Sequence, residues 1–116
     1  MDIELDFGTF ICKASLFDTK IAKRFSESLP CKVSLTKWGD ELYGSIGKDL
    51  GKEKPVPNIP PGGIAYTHQG NYVCVFFGQT PAWPVEYIGQ LRDDDLKLIA
   101  ENPAQKSVEI RINEPW

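Results

Sequence analysis

Residues 62–84 read GGIAYTHQGNYVCVFFGQTPAWP, and this stretch constrains the fold more than any other in the chain. It holds the two runs of strongest strand character, 64–68 and 71–77, with Gln69-Gly70-Asn71 punctuating the passage between them. A Gly78-Gln-Thr-Pro81 exit follows the second run. β-Branched and aromatic residues on either side of a turn signal specify an antiparallel hairpin. Strand alternation puts Tyr72, Cys74 and Phe76 on one face, and Val73, Val75 and Phe77 on the other. One face must fill a core. The other is covered by a helix or left to line a groove.

The rest of the chain supplies partners for this hairpin. Residues 3–7 and 10–17 read as two strands joined at Gly8-Thr9, the second alternating Phe10, Cys12, Ala14 and Leu16 with Ile11, Lys13, Ser15 and Phe17. Asp18 offers an N-cap oxygen to a helix whose apolar stripe is Ile21, Phe25 and Leu29, with Pro30 at its end. Lys20, Lys23 and Arg24 on that helix read as a solvated face, because Asp18 and Glu27 flank them. Residues 31–38 alternate again and turn at Gly39-Asp40 into a return strand over 41–46, a second hairpin. Residues 47–61 hold Pro55, Pro57, Pro60 and Pro61, which cannot donate to a ladder, so a long exposed loop is predicted there. After the Pro81-Ala-Trp-Pro84 corner come a strand over 85–91, a short helix over 96–100 led by Asp93, Asp94 and Asp95, and a last strand over 106–112. About eight short strands and two short helices, with no internal repeat, predict a mainly β, closed antiparallel barrel with its ends plugged by helices.

At 116 residues the chain is expected to form one domain, 1–116, large enough for a single core. A net charge of −3 gives no electrostatic footprint for nucleic acid or an anionic membrane. The longest apolar run, 73–77, is too short to span a bilayer. The acidic Met1-Asp-Ile-Glu start is unlike a signal peptide. Cys12, Cys31 and Cys74 are odd in number, widely spaced and set in apolar or alternating runs. Reduced thiols in the cytoplasm are therefore expected.

No constellation makes a convincing catalytic or metal centre, and no cofactor is implied. Gly47-Lys-Asp-Leu-Gly51-Lys-Glu53 superficially resembles a phosphate-binding loop. Its glycines are one residue too close, however, and a proline-rich segment follows where a helix should start. His68 is the only histidine; a pairing with Cys74 across the hairpin is conceivable, but a thiol between valines is more often inert core. Asp93, Asp94 and Asp95 are consecutive at a helix start, so their carboxylates diverge rather than converge on one ion. Asp40 and Glu41 read as turn chemistry. The aromatics are more informative. Tyr43, Tyr66, Tyr72, Phe76, Phe77 and Trp83 come from the two hairpins and the corner, and Tyr66 and Trp83 carry polar tips suited to a groove.

Several of these stretches resemble a family of small prokaryotic cyclophilin-like proteins. They are Glu53-Lys-Pro-Val-Pro57, Pro61-Gly-Gly-Ile-Ala-Tyr66, Gly70-Asn71 and Cys74-Val-Phe-Phe-Gly-Gln-Thr-Pro81, with Gly39-Asp-Glu-Leu-Tyr43 and Tyr87-Ile-Gly89 in the same pattern. The resemblance implies a cyclophilin-type barrel capped by two helices, in agreement with the periodicity, and carries no established activity. Thr67-His-Gln69 departs from the family pattern, so His68 inherits no role. True cyclophilins isomerise X–Pro bonds, lowering a barrier of about 18–20 kcal/mol with an apolar pocket and an arginine. This chain has only Arg24, Arg92 and Arg111, none obviously placed for that work, and Lys32 or Lys37 lacks the guanidinium fork.

The expectation is a binding module for a small molecule or a proline-containing peptide, with Tyr43, Tyr66, Phe77, Gln79 and Trp83 around the groove. The alternatives are a weak peptidyl-prolyl isomerase, or a subunit or regulator of a larger hydrolase-type complex.

Overall fold

The computed structural model describes residues 1–113; residues 114–116 of the expected domain 1–116 lie outside the described residues. The chain runs β1 Asp2–Asp6, β2 Ile11–Leu16, α1 Lys20–Glu27, β3 Cys31–Ser34, β4 Thr36–Trp38, β5 Glu41–Ser45, β6 Gly63–Thr67, β7 Tyr72–Phe76, β8 Glu86–Leu91, α2 Asp93–Glu101 and β9 Ser107–Ile112. All pairings are antiparallel, in the order β3-β9-β1-β2-β8-β6-β7-β5-β4. The result is a nearly closed nine-stranded barrel with two helices. The central hairpin forms as the sequence indicates, with Tyr66 opposite Val73 and Thr67 opposite Tyr72.

The expected single strand over 31–38 is instead two, and the count of about eight becomes nine. The run breaks at Leu35, whose N–H donates to the Lys106 carbonyl at 2.8 Å. Before the break β3 pairs with β9, Val33 opposite Val108; after it β4 pairs with β5, Trp38 opposite Glu41. One bent run thus serves both ends of the sheet, and only its second half belongs to the predicted hairpin. Because that run is continuous, it carries the chain from one end of the sheet to the other and brings the barrel close to closure. The seam is tight: a Cβ at Gly44 of β5 would run into the Ser34 carbonyl oxygen and Val33 Cγ1.

The barrel interior contains Ile3, Leu5, Cys12, Ala14, Leu16, Val33, Leu42, Ile64, Tyr66, Val73, Val75, Ile88 and Ile110. Helix α1 adds Ile21, Ala22 and Phe25 to this core, and α2 adds Ile99. The N-cap of α1 is Thr19 rather than Asp18: Thr19 Oγ1 accepts the Ala22 N–H at 3.1 Å, and Asp18 pairs instead with Lys23 at 3.1 Å. Asp93, Asp94 and Asp95 fill the first turn of α2, and Asp95 Oδ2 ties that turn to β2 by accepting the Lys13 N–H at 2.8 Å.

A second, smaller core lies on the outer face of β6, β7 and β8, where Ile59, Ala65, Cys74, Phe76 and Val85 meet. The loop predicted over 47–61 is there and most of its residues are exposed, but it is anchored at two points. Strand content there is indeed low, a single bridge between Val56 and Val85. Yet Leu50 and Ile59 are 3% and 4% exposed. The prolines remove four backbone donors, and side chains from the barrel take several of those that remain. Tyr66 Oη accepts the Leu50 N–H at 2.8 Å, and the Glu86 carboxylate accepts the Glu53 and Lys54 N–H groups at 3.1 and 3.0 Å. Arg24 Nη1 donates to the Leu50 carbonyl at 2.8 Å and lies 3.7 Å from Glu53. The loop is stapled down.

Candidate functional site

Strand register gathers one set of side chains on the outside of the barrel. Trp38 lies opposite Glu41, Glu41 opposite Phe76, Tyr43 opposite Cys74 and Tyr72 opposite Thr67, and residues directly opposite share a face. The proline-rich segment covers part of that face. The remainder is a cleft of about 350 Å³ lined by Trp38, Glu41, Tyr43, Thr67, Tyr72, Cys74, Phe76, Pro81, Ala82, Trp83 and Val85. Its volume falls within the range of small-molecule sites. Trp38 and Trp83 at the cleft are 51% and 41% exposed, among the largest apolar groups left to solvent.

Each wall is fixed by its neighbours. Tyr43 and Tyr72 pack edge to face, with ring centroids 5.1 Å apart. Trp83 comes from the irregular corner after β7, and its indole Nε1–H donates to Thr67 Oγ1 at 3.0 Å. That bond anchors the corner to the buried end of β6. A second cleft, of about 630 Å³, lies between α1, β8 and the loop, but its lining includes Lys20 and Glu53, ion-paired at 3.5 Å. The same lining holds Glu86, whose carboxylate is taken up by the Glu53 and Lys54 N–H groups.

Among the described residues Glu41 is the only formally charged one lining the aromatic cleft, and it is 7% exposed. Burial pushes its carboxyl above the ordinary range, partly offset by the neighbouring Cys74 thiol and Gln79 amide. Burial, reinforced by the Glu41 charge, holds the Cys74 thiol well above the ordinary thiol range. Cys74 is therefore a protonated donor at neutral pH, and not a nucleophile. His68 sits exposed in the turn after β6 and is not in the cleft lining.

The raised Glu41 carboxyl has a testable consequence for stability. A carboxyl that holds its proton more tightly when folded stabilises the fold below the ordinary carboxylate range. That contribution is lost as pH rises through its raised folded value. Melting wild type and Glu41→Gln in parallel across that window should show the glutamine variant gaining on wild type as pH rises, then levelling. A gap that does not vary with pH would contradict the assignment.

Of the five residues the sequence nominates, Tyr43 and Trp83 line the cleft. Gln79 stands behind Glu41, with its Oε1 accepting the Asp40 N–H at 2.8 Å. Phe77 packs against the barrel core, and Tyr66 is fully buried in it, its hydroxyl donating to Asn71 Oδ1 at 2.8 Å. Sequence reasoning did not nominate Trp38, Glu41 or Thr67. Alternation carried the missing signal, since Glu41 and Tyr43 share a strand face, so an acid at 41 must accompany the tyrosine.

An antiparallel barrel with helices packed into its core and an aromatic cleft on its outer face defines the class. The family model described as Cyclophilin-like matches residues 1–111, and the chain belongs to that cyclophilin-like family. The fold is similar to that of the hypothetical protein AF2241 from Archaeoglobus fulgidus, known from a solution structure, at 25% identity and a TM-score of 0.77. That match covers 97% of this chain and 95% of the archaeal one. It is also similar in fold to McbB, solved in complex with tryptophan, at 16% identity and a TM-score of 0.77, over 98% of this chain and 45% of McbB. No curated protein matches the chain. No helix among the described residues is long and apolar enough to cross a membrane.

Proposed function

We propose that the chain is a single cyclophilin-like domain, acting in the cytoplasm, that holds a small molecule in the cleft beneath Trp38 and Trp83 without turning it over. The observation that carries this reading is the lining itself: aromatic and aliphatic walls, two exposed indoles and one buried carboxylate. Pockets that recognise small molecules combine mostly apolar walls with a few placed polar groups. McbB, which shares the barrel, is solved with tryptophan, and a cleft of this volume accommodates a molecule of that order. The candidate residues are Tyr43 and Trp83 in the wall, Gln79 supporting Glu41, and Tyr66 and Phe77 acting from behind the sheet.

The isomerase alternative has less support. Arg24 is committed to Leu50 and Glu53. Arg111 is held by Glu4, Asp6 and Glu109 at 3.2, 3.0 and 3.0 Å. Arg92 caps α2. None of the three is in the cleft lining.

A fragment screen read by tryptophan fluorescence tests the proposal. Alanine at Trp83 or Tyr43 is expected to weaken cleft ligands by roughly tenfold each. Ligands indifferent to both substitutions would remove the cleft from consideration. A proline-peptide isomerisation assay is expected to show only the spontaneous rate; acceleration that disappears in Phe76→Ala would replace binding with catalysis.

A further inference from the structure

We infer that the cleft selects a compact organic ammonium ion, bound by the Glu41 carboxylate and by the faces of the aromatic side chains around it. The inference rests on the small-molecule reading and adds the charge of the ligand to it.

Three observations lead there. First, Glu41 is 7% exposed, and the ion pairs of the described residues do not include it. The polar side chains that act on it are the neutral Cys74 thiol from β7 and the neutral Gln79 amide beyond it. Buried carboxylates are ordinarily matched by a cation, because desolvating an uncompensated charge is costly. A cation arriving from solution supplies that match. Second, Tyr43, Tyr72, Phe76, Trp38 and Trp83 line the same cavity, and aromatic faces attract a desolvated cation through their quadrupoles. Third, the cavity is about 350 Å³, near the lower end for ligand sites, which favours a compact molecule over a folded peptide. A carboxylate ligand would meet Glu41 as a like charge. A neutral ligand would leave Glu41 buried and unmatched.

The test uses three ligands of nearly one shape and different charge: phenethylammonium, 2-phenylethanol and 3-phenylpropionate. Each is titrated into the whole protein near neutral pH by calorimetry, with the Trp38 and Trp83 indole resonances followed by NMR. The ammonium ion is expected to bind roughly tenfold or more tightly than the alcohol, as a charge-assisted buried contact provides. The carboxylate should bind more weakly than the alcohol. Glu41→Gln should bring the ammonium ion and the alcohol to equal affinity. The wild-type series needs no variant, so a Glu41→Gln protein that failed to fold would not remove the test. If the alcohol binds and the ammonium ion gains nothing, the cation inference is overturned while the small-molecule reading stands. If none of the three moves either indole resonance, the cleft is not a small-molecule site of this kind and both fall.

Discussion

Gly44→Ala should lower the melting temperature by roughly 10 °C, the largest effect expected from adding a single methyl group to this protein. Gly44 lies in β5 where β3 crosses it. A Cβ there would meet a backbone carbonyl oxygen and a branched side chain at once. A flexible side chain could swing aside, but the Ser34 carbonyl belongs to the run that closes the barrel and can shift only if the seam opens. Overpacking typically costs about 1–3 kcal/mol, and a clash with backbone belongs at or above the upper end. The same substitution at Gly8, where a Cβ would meet nothing within 4 Å but φ is +95°, is expected to cost less and serves as the control. Calorimetric melts of the two variants settle the matter. A Gly44→Ala protein that melts with wild type would mean the seam is looser than described.

Tyr66→Ala is the second large effect, expected to cost about 3–5 kcal/mol as a buried aromatic is lost from the core. Tyr66→Phe separates the hydroxyl from the ring. It keeps the packing but leaves the Leu50 N–H and the Asn71 side chain without their partner, a change of about 1–2 kcal/mol. Hydrogen exchange should quicken at residue 50, where the proline-rich segment is pinned, and remain as in wild type in β1 and β9. Binding of cleft ligands to the folded Tyr66→Phe protein should be unchanged, since the hydroxyl points away from that face. Weakened binding at undiminished stability would mean that Tyr66 contributes to the ligand site directly.

Tyr66 also shows where sequence reasoning reached its limit. The alternation of 71–77 correctly divided that strand into two faces, and the barrel followed from eight such runs. Which face pointed inward was not legible, because both faces of β7 are apolar or aromatic and both are covered. The polar tip of Tyr66 suits a groove, yet a buried tyrosine needs a partner for its hydroxyl, and Leu50 and Asn71 provide one inside the protein. Trp83 has the same kind of tip and does line the cleft, because an irregular corner carries it to the outer face. Glu41 reads locally as turn chemistry from its place beside Gly39-Asp40. Its burial depends on Trp38, Phe76 and the corner at Pro81 closing around it, a long-range event invisible in local pattern. The break at Leu35 was equally hidden. The alternation passes through it without a glycine or proline to mark the bend.

That bend has a consequence for how the molecule is assembled. Strand β9, the last among the described residues, is inserted between β1 and β3, both contributed by residues 2–34. Until residues 107–112 are made, a nascent chain carries β1 and β3 with an unsatisfied side each, and such sides are templates for pairing with other chains. Closure is also a contact of high sequence separation, the kind that slows folding. The folded barrel hides its ends in a single bent run, so its period of greatest exposure to self-association belongs to synthesis, before β9 arrives.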